Sequence, residues 1–264
     1  MTQSAVRFDQ VRKNYGRQAV LQGIDLEIAA GMTFGLVGIN GAGKTTLIKC
    51  LLDFCHVDDG RIEIFGTRHT DSRARARLAF LPERFMPPYF LTGRDFLNYM
   101  LTLDARVAGE DKVRAMFAAL DLDAAALDQP VRSYSKGMTQ KLGLAACLLA
   151  EPDLLILDEP MSGLDPLARA RVKQLLRNLR ERGRTLFFTS HALSDVEEIC
   201  EHMVVLHQGR LRFSGSPRAL MQSYAPKEVP TSSGGPDLRS PTLGYAEDSM
   251  EQAFLKCIES DAHD

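Results

Sequence analysis

Residues Gly38 to Thr46 read Gly-Ile-Asn-Gly-Ala-Gly-Lys-Thr-Thr. The run fits G-x-x-x-x-G-K-[ST], and its setting narrows the fold. The β-prone Phe34 to Val37 stands before it, and Thr45 to Leu52 follows with Leu47, Ile48, Leu51 and Leu52 at helical spacing. A glycine-rich turn between a strand and a helix lets backbone N–H groups converge on phosphates without Cβ clashes. The helix N-terminus adds partial positive charge. Lys44 is expected to reach the β- and γ-phosphates, and the Thr45 hydroxyl to bind Mg²⁺. The bland alternative, a chance glycine-rich turn, is disfavoured by the strand and helix on either side.

A second element completes the chemistry. Leu154-Leu155-Ile156-Leu157 is an apolar run of parallel-strand type, and it ends in Asp158-Glu159. In open α/β sheets ligands bind at the strands' carboxyl ends, which places these carboxylates beside the phosphate loop. Asp158 is expected to hold Mg²⁺ and Glu159 to orient the attacking water. Two carboxylates after a strand are often only solvated termini; the phosphate loop shifts the balance.

Around these motifs the pattern alternates. Short β-prone runs occur at Val6 to Phe8, Ile24 to Ile28, Ile62 to Phe65, Leu78 to Leu81, Thr185 to Thr189 and Met203 to Leu206. Helical spacing marks Phe96 to Leu103, Lys112 to Leu120, Gly137 to Leu149 and Arg169 to Arg182. Thr92 with Asp95 three residues on resembles a capping box. Strands alternating with helices predict an α/β core with a parallel sheet. Pro226 to Gly244, rich in Pro, Gly, Ser and Thr, reads as a flexible linker, and Ser249 to Ile258 as a short helix.

Composition sets limits. The 264 residues are 45% hydrophobic and 25% charged with net charge -2, which suits a soluble globular chain and offers no basic field for nucleic acid. No apolar run approaches the ~20 residues of a membrane span, and the N-terminal residues lack a signal-type apolar region. Cys50, Cys55, Cys147, Cys200 and Cys257 show no metal-type spacing and read as reduced, mostly buried thiols in a cytosolic setting.

Taken together, the motifs resemble the nucleotide-binding subunit of an ATP-binding-cassette (ABC) transporter, over about residues 5 to 220. Tyr15 matches the aromatic that stacks on adenine in that family. Ser135-Lys136-Gly137-Met138-Thr139-Gln140 stands where the family signature often reads Leu-Ser-Gly-Gly-Gln. Ser162-Gly163-Leu164-Asp165 matches the segment after the catalytic glutamate, and His191 the switch histidine near the γ-phosphate. The resemblance implies a P-loop NTPase core with an N-terminal antiparallel β subdomain and a helical signature subdomain. It also implies one ATPase domain over 5–222 with a helical insert at about 86–150, a linker at 226–244 and a terminal helix within 245–264.

The site it implies has Glu159, His191 and Lys44 as catalytic residues. ATP would contact Tyr15, the loop residues Gly38, Ile39, Asn40, Gly41, Ala42, Gly43, Lys44, Thr45 and Thr46, then Glu83, and Ser135, Gly137 and Asp165. Mg²⁺ would be held by Thr45, Glu83 and Asp158. Ser135 and the first N–H groups of its helix form a second anion-binding terminus, which in the family faces the γ-phosphate on the opposite subunit. A serine before a helix is otherwise a plain N-cap.

Two departures stand out. Glu83 occupies a position where the family commonly has glutamine, and Lys136 replaces a glycine beside a phosphate; a solvated lysine is the plainer reading of Lys136. Pro82-Glu83 with Ser-Lys-Gly-Met resembles the exporter branch. The implied function is an ATPase subunit on the cytoplasmic face of the inner (plasma) membrane, working as a homodimer with separate transmembrane permease subunits and no nucleic acid. An importer subunit, or a soluble ABC ATPase acting on nucleic acid or ribosomes, is the alternative. Arg73, Arg75 and Arg77, and the basic face from Arg169 to Arg180, read as solvated surface. Met86-Pro87-Pro88-Tyr89-Phe90 is balanced between docking a membrane-domain helix and packing within the insert.

Overall fold

Two sheets divide the strands, and the second carries the phosphate loop. In the computed structural model, which describes residues 3–103, 105–224 and 250–260, β1 (Ser4–Tyr15) and β2 (Gln18–Ala29) form a long hairpin. With β4 (Asp59–Ile64) and β5 (Thr67–Arg68) they make an antiparallel sheet in the order β2-β1-β4-β5. The second sheet contains β3 (Thr33–Val37), β6 (Leu78–Leu81), β7 (Leu154–Asp158), β8 (Thr185–Thr189), β9 (His202–His207) and β10 (Arg210–Gly215). Its order is β10-β9-β3-β8-β7-β6, parallel except for β10.

The parallel strands are buried on both faces, and their side chains alternate between two cores. Leu154, Ile156, Phe187, Val204 and Leu206 face the antiparallel sheet and α1 (Lys44–Leu51). Leu155, Leu157, Leu186, Phe188, Met203 and Val205 face the helical side. There lie α3 (Gly93–Leu103), α4 (Glu110–Ala119), α5 (Lys136–Leu149), α6 (Pro166–Glu181), α7 (Leu193–Ile199) and α8 (Pro217–Tyr224). The capping box is formed in both directions: Asp95 N–H donates to Thr92 Oγ1 at 3.1 Å, and Thr92 N–H to Asp95 Oδ2 at 3.4 Å.

Several elements differ from expectation. β1 and β2 reach 12 residues each, because register shifts between Phe8 and Val11 carry the pairing through polar positions. β4 stops at Ile64, since Phe65 and Gly66 turn the chain at φ 48° and 76°. The hairpin strand β10, the short α7 and α8, the one-turn α2 (Ser72–Arg75) and β5 all lie outside the expected set. The sequence does hold one signal for α8: Ser216 Oγ caps the Ala219 N–H at 3.1 Å, and Pro217 follows it.

The arginines are more engaged than a solvated surface implies. Arg77 stacks on the Phe65 ring at 3.9 Å and pairs with Asp153, while Arg75 donates to the His69 carbonyl and to Asp53. The basic face of α6 is tied to α7: Lys173 bridges Asp195 and Glu198, and Arg177 pairs with Glu198.

The expected linker at 226–244 lies outside the described residues. A helix beyond it, Met250–Glu259, buries Met250, Ala253, Phe254 and Cys257 against the helical-side core. Among the described residues no helix is long and apolar enough to cross a membrane.

Candidate active site

The turn after β3 is built for close approach. Gly41 and Gly43 sit at φ 80° and 112°, where a side chain would strain the backbone. A Cβ on Gly43 would stand 2.9 Å from the Val20 carbonyl oxygen, and one on Gly38 2.3 Å from that of Leu206. The loop therefore presents backbone rather than side chains to the space above it. Lys44, the first residue of α1, is 8% exposed. Its Nζ donates to the carbonyls of Gly38 at 2.5 Å and Ile39 at 3.3 Å. Burial pushes its pKa down, opposed by Glu159, Asp158 and Glu83.

Strand pairing supplies the acids. Register between β7 and β8 sets Asp158 opposite Thr189. The Thr189 hydroxyl donates to Asp158 Oδ1 at 2.6 Å and accepts from the Glu159 N–H at 3.0 Å. One hydroxyl thus fixes both acidic residues. Sequence reasoning gave Thr189 no role; its place at the end of β8, just before Ser190-His191, was the available signal.

Glu159 turns the chain at φ 51°, a conformation uncommon for a side-chain-bearing residue and concentrated at functional sites. Its Oε2 accepts from the His191 N–H at 3.2 Å, and its Oε1 lies 3.3 Å from His191 Nε2. That Oε1 is buried and makes no hydrogen bond among the described residues. Burial raises the pKa of both Asp158 and Glu159.

These groups line one cleft of about 290 Å³. Tyr15, Gln18, Val20, Glu83 and His191 share it with Ile39 to Thr46, Asp158 and Glu159. Gly38 adjoins it through the carbonyl that receives Lys44. Gln18 and Val20 were not anticipated; they follow Tyr15 across the hairpin turn. Tyr15 is half-exposed, so its ring is available for stacking.

Three expected nucleotide contacts stand elsewhere. Ser135 caps α5, its Oγ accepting from the Met138 N–H at 3.2 Å. Asp165 caps α6, accepting from the Ala168 N–H at 2.9 Å, which holds its carboxyl below the usual range. Gly137 faces Gly163: a Cβ there would stand 3.2 Å from the Gly163 carbonyl oxygen. The stem of Lys136 packs over Gly163, and its Nζ lies 3.4 Å from Ser162 Oγ. Ser135, Gly137 and Asp165 therefore form a second cluster, apart from the cleft lining of the same chain.

The donors suit a hard divalent ion bound with phosphate. Thr45 and Asp158 offer oxygen, and Asp158 keeps Oδ2 beyond its bond to Thr189. Among the described residues no three His, Cys, Asp or Glu side chains form a metal cage. An ion here would complete its shell with substrate phosphates and water, as Mg²⁺ does.

Comparison with known proteins places this geometry. The family model described as ABC transporter matches residues 21–162. An uncharacterised ABC transporter ATP-binding protein of Synechocystis is 41% identical over 74% of this chain and 56% of its own length. This chain thus spans just over half of that relative. The Nod factor export ATP-binding protein I of Paraburkholderia xenovorans is 37% identical over 84% of this chain and 74% of its own. Among solved structures, an ATP-binding subunit of an ABC transporter superposes with TM-score 0.76 at 28% identity, covering 83% of this chain and 93% of that one. On the family match, the sequence relatives and the shared fold, the chain belongs to the ABC transporter family and carries its ATP-binding domain.

Proposed function

We propose that the chain is a Mg²⁺-dependent ATPase that powers export by separate transmembrane permease subunits, from the cytoplasmic face of the membrane. The observation that carries the ATPase reading is the convergence of Lys44, Asp158, Glu159 and His191 on one glycine-lined cleft. The export reading rests on the Nod factor export relative, whose name concerns that protein.

Loop N–H groups and the Lys44 ammonium bind the β- and γ-phosphates, and Tyr15 stacks on adenine. Glu159 Oε1, buried and without a hydrogen bond among the described residues, accepts a hydrogen bond from the attacking water and orients it. His191 steadies Glu159 through its backbone N–H and faces the γ-phosphate. Thr45, Asp158 and Glu83 would hold Mg²⁺, which when bound would offset charge on the phosphate oxygens. Ser135, Gly137 and Asp165 lie outside this cleft because they serve the nucleotide of a second copy, so two chains enclose two ATP. The γ-phosphate then joins the copies, and hydrolysis releases them.

Met86, Tyr89 and Phe90 are 85%, 68% and 71% exposed, which favours docking over packing within the insert. They lie just beyond Glu83 and would receive a permease helix. The partner reading is tested by affinity capture from detergent-solubilised native membranes with mass spectrometry. Recovery of one multi-span protein is expected. Recovery with ribosomes or DNA from the soluble fraction, and no membrane protein, overturns it.

Glu83 gives a separate test. It places a carboxylate in a cleft built for three phosphates. Glu83→Gln is expected to raise turnover at saturating Mg²⁺ about 5-fold, for ~1 kcal/mol of repulsion in a solvated setting, and to raise the Mg²⁺ concentration that turnover requires. An unchanged rate and Mg²⁺ dependence in a steady-state ATPase assay removes Glu83 from the site.

A further inference from the structure

Two thiols meet beside the aromatic of the cleft. Helix α1 ends in a Schellman turn: the Phe54 N–H donates to the Lys49 carbonyl at 2.8 Å and the Asp53 N–H to that of Cys50 at 3.1 Å. Asp53 takes the left-handed position at φ 62°. This reversal folds Cys55 back over the last helical turn, where its Sγ lies 3.5 Å from Cys50 Sγ. Cys50 is fully buried, and Cys55 is partly exposed. The neighbouring Cys55 thiol is the main cause that raises the Tyr15 hydroxyl pKa.

The segment after Cys55 is tied to the same end of β1. Asp58 accepts from Lys13 Nζ at 3.0 Å, from the Asn14 N–H at 2.6 Å and from Asn14 Nδ2 at 3.0 Å. The Asp58 N–H donates to the Arg12 carbonyl at 2.9 Å. Residues 56–58 thus connect Cys55 to Arg12, Lys13 and Asn14, the residues that lead into Tyr15.

We propose that Cys50 and Cys55 are a peroxide-oxidised dithiol, which closes to an intrachain disulfide and weakens nucleotide binding through Tyr15. The nucleotide half rests on the function proposed above. Burial pushes the Cys50 thiol up to about 12, so the accessible Cys55 reacts first. Its thiolate attacks a peroxide oxygen, the O–O bond breaks, and Cys55 becomes a sulfenic acid as one water forms. Cys50 sulfur then attacks Cys55 sulfur, the S–O bond breaks, and the Cys50 proton leaves with hydroxide as a second water. The two thiols lose two electrons and two protons, and the peroxide becomes two waters. Closing from 3.5 Å to a bond of about 2.05 Å needs only local movement of the turn.

The test treats the full chain with hydrogen peroxide, then iodoacetamide, then trypsin. Cleavage after Lys49 and Arg61 leaves both thiols in the peptide 50–61. The expected peptide carries no alkyl group and is lighter than the dithiol by two hydrogens; dithiothreitol restores both alkylation sites. Calorimetry of MgATP binding is expected to show about 5-fold weaker affinity after oxidation, the low end of a base–aromatic stack. Cys55→Ser is expected to bind MgATP equally well before and after peroxide. Two alkylated thiols after peroxide overturn the dithiol. Unchanged affinity of the oxidised chain, or an equal loss in Cys55→Ser, overturns the link to Tyr15. Reduced protein that binds no MgATP counts against the proposed function instead, while the peptide mass still decides the dithiol.

Discussion

Glu159→Gln is expected to bind MgATP with near-native affinity and to lower turnover about 10²- to 10³-fold, the usual loss for one electrostatic contributor. The amide keeps the side chain's shape, so the bond from the His191 N–H survives on the retained oxygen. What disappears is the negative charge proposed to stand beside the attacking water. With hydrolysis blocked, the γ-phosphate remains in place and an ATP-dependent dimer should accumulate in size-exclusion chromatography. A monomer hydrolysing ATP at the native rate ends the assignment. The native enzyme should also lose kcat/KM on acidification at a pH above the ordinary glutamate value of 4.5, because burial raises the Glu159 pKa. The sign follows from the chemistry: protonation removes the group that accepts from water, so activity falls as pH drops through the raised value.

Lys44→Ala should fail at an earlier step. A charged hydrogen bond to phosphate contributes roughly 1.5–3 kcal/mol, so MgATP affinity should fall about 10- to 100-fold. Any residual turnover should fall further, because in the proposed reaction the same ammonium would stabilise the transferring phosphoryl group. The fold should persist, since among the described residues Lys44 hydrogen-bonds only to the adjoining loop carbonyls of Gly38 and Ile39. Calorimetry and a thermal melt followed by circular dichroism separate the two effects. Native affinity in the folded variant would remove Lys44 from phosphate binding. The contrast is diagnostic: one substitution in the cleft keeps binding and loses hydrolysis, and its neighbour loses binding.

The legible part of the site was local. Gly38 to Thr46 and Leu154 to Glu159 each carry their meaning in consecutive residues, because a loop cradle and a strand end are short-range constructions. Thr189 was not legible in that way. Its role depends on β8 lying beside β7 in a register that sets it opposite Asp158, and that pairing joins residues 31 apart. The capping of α3 was readable from Thr92 and Asp95, whereas α7 is too short, at seven residues, to show a period. The role of the α6 basic face was likewise hidden, since its partners Asp195 and Glu198 lie on the next helix. Cys55 followed the same logic: the Schellman turn that brings it to Cys50 depends on Asp53 taking a conformation usually left to glycine.

The shared hydroxyl of Thr189 has a consequence for how such a chain can change. It joins two strands whose side chains alternate strictly between two cores, with Leu155 and Leu157 on one side and Leu154 and Ile156 on the other. Deleting one residue within β7 would exchange those sides and carry Asp158 away from Thr189. Deleting one at Val107, 97% exposed between α3 and α4, would leave both strands aligned. In β7, the number of residues fixes where the acids stand as much as which residues they are.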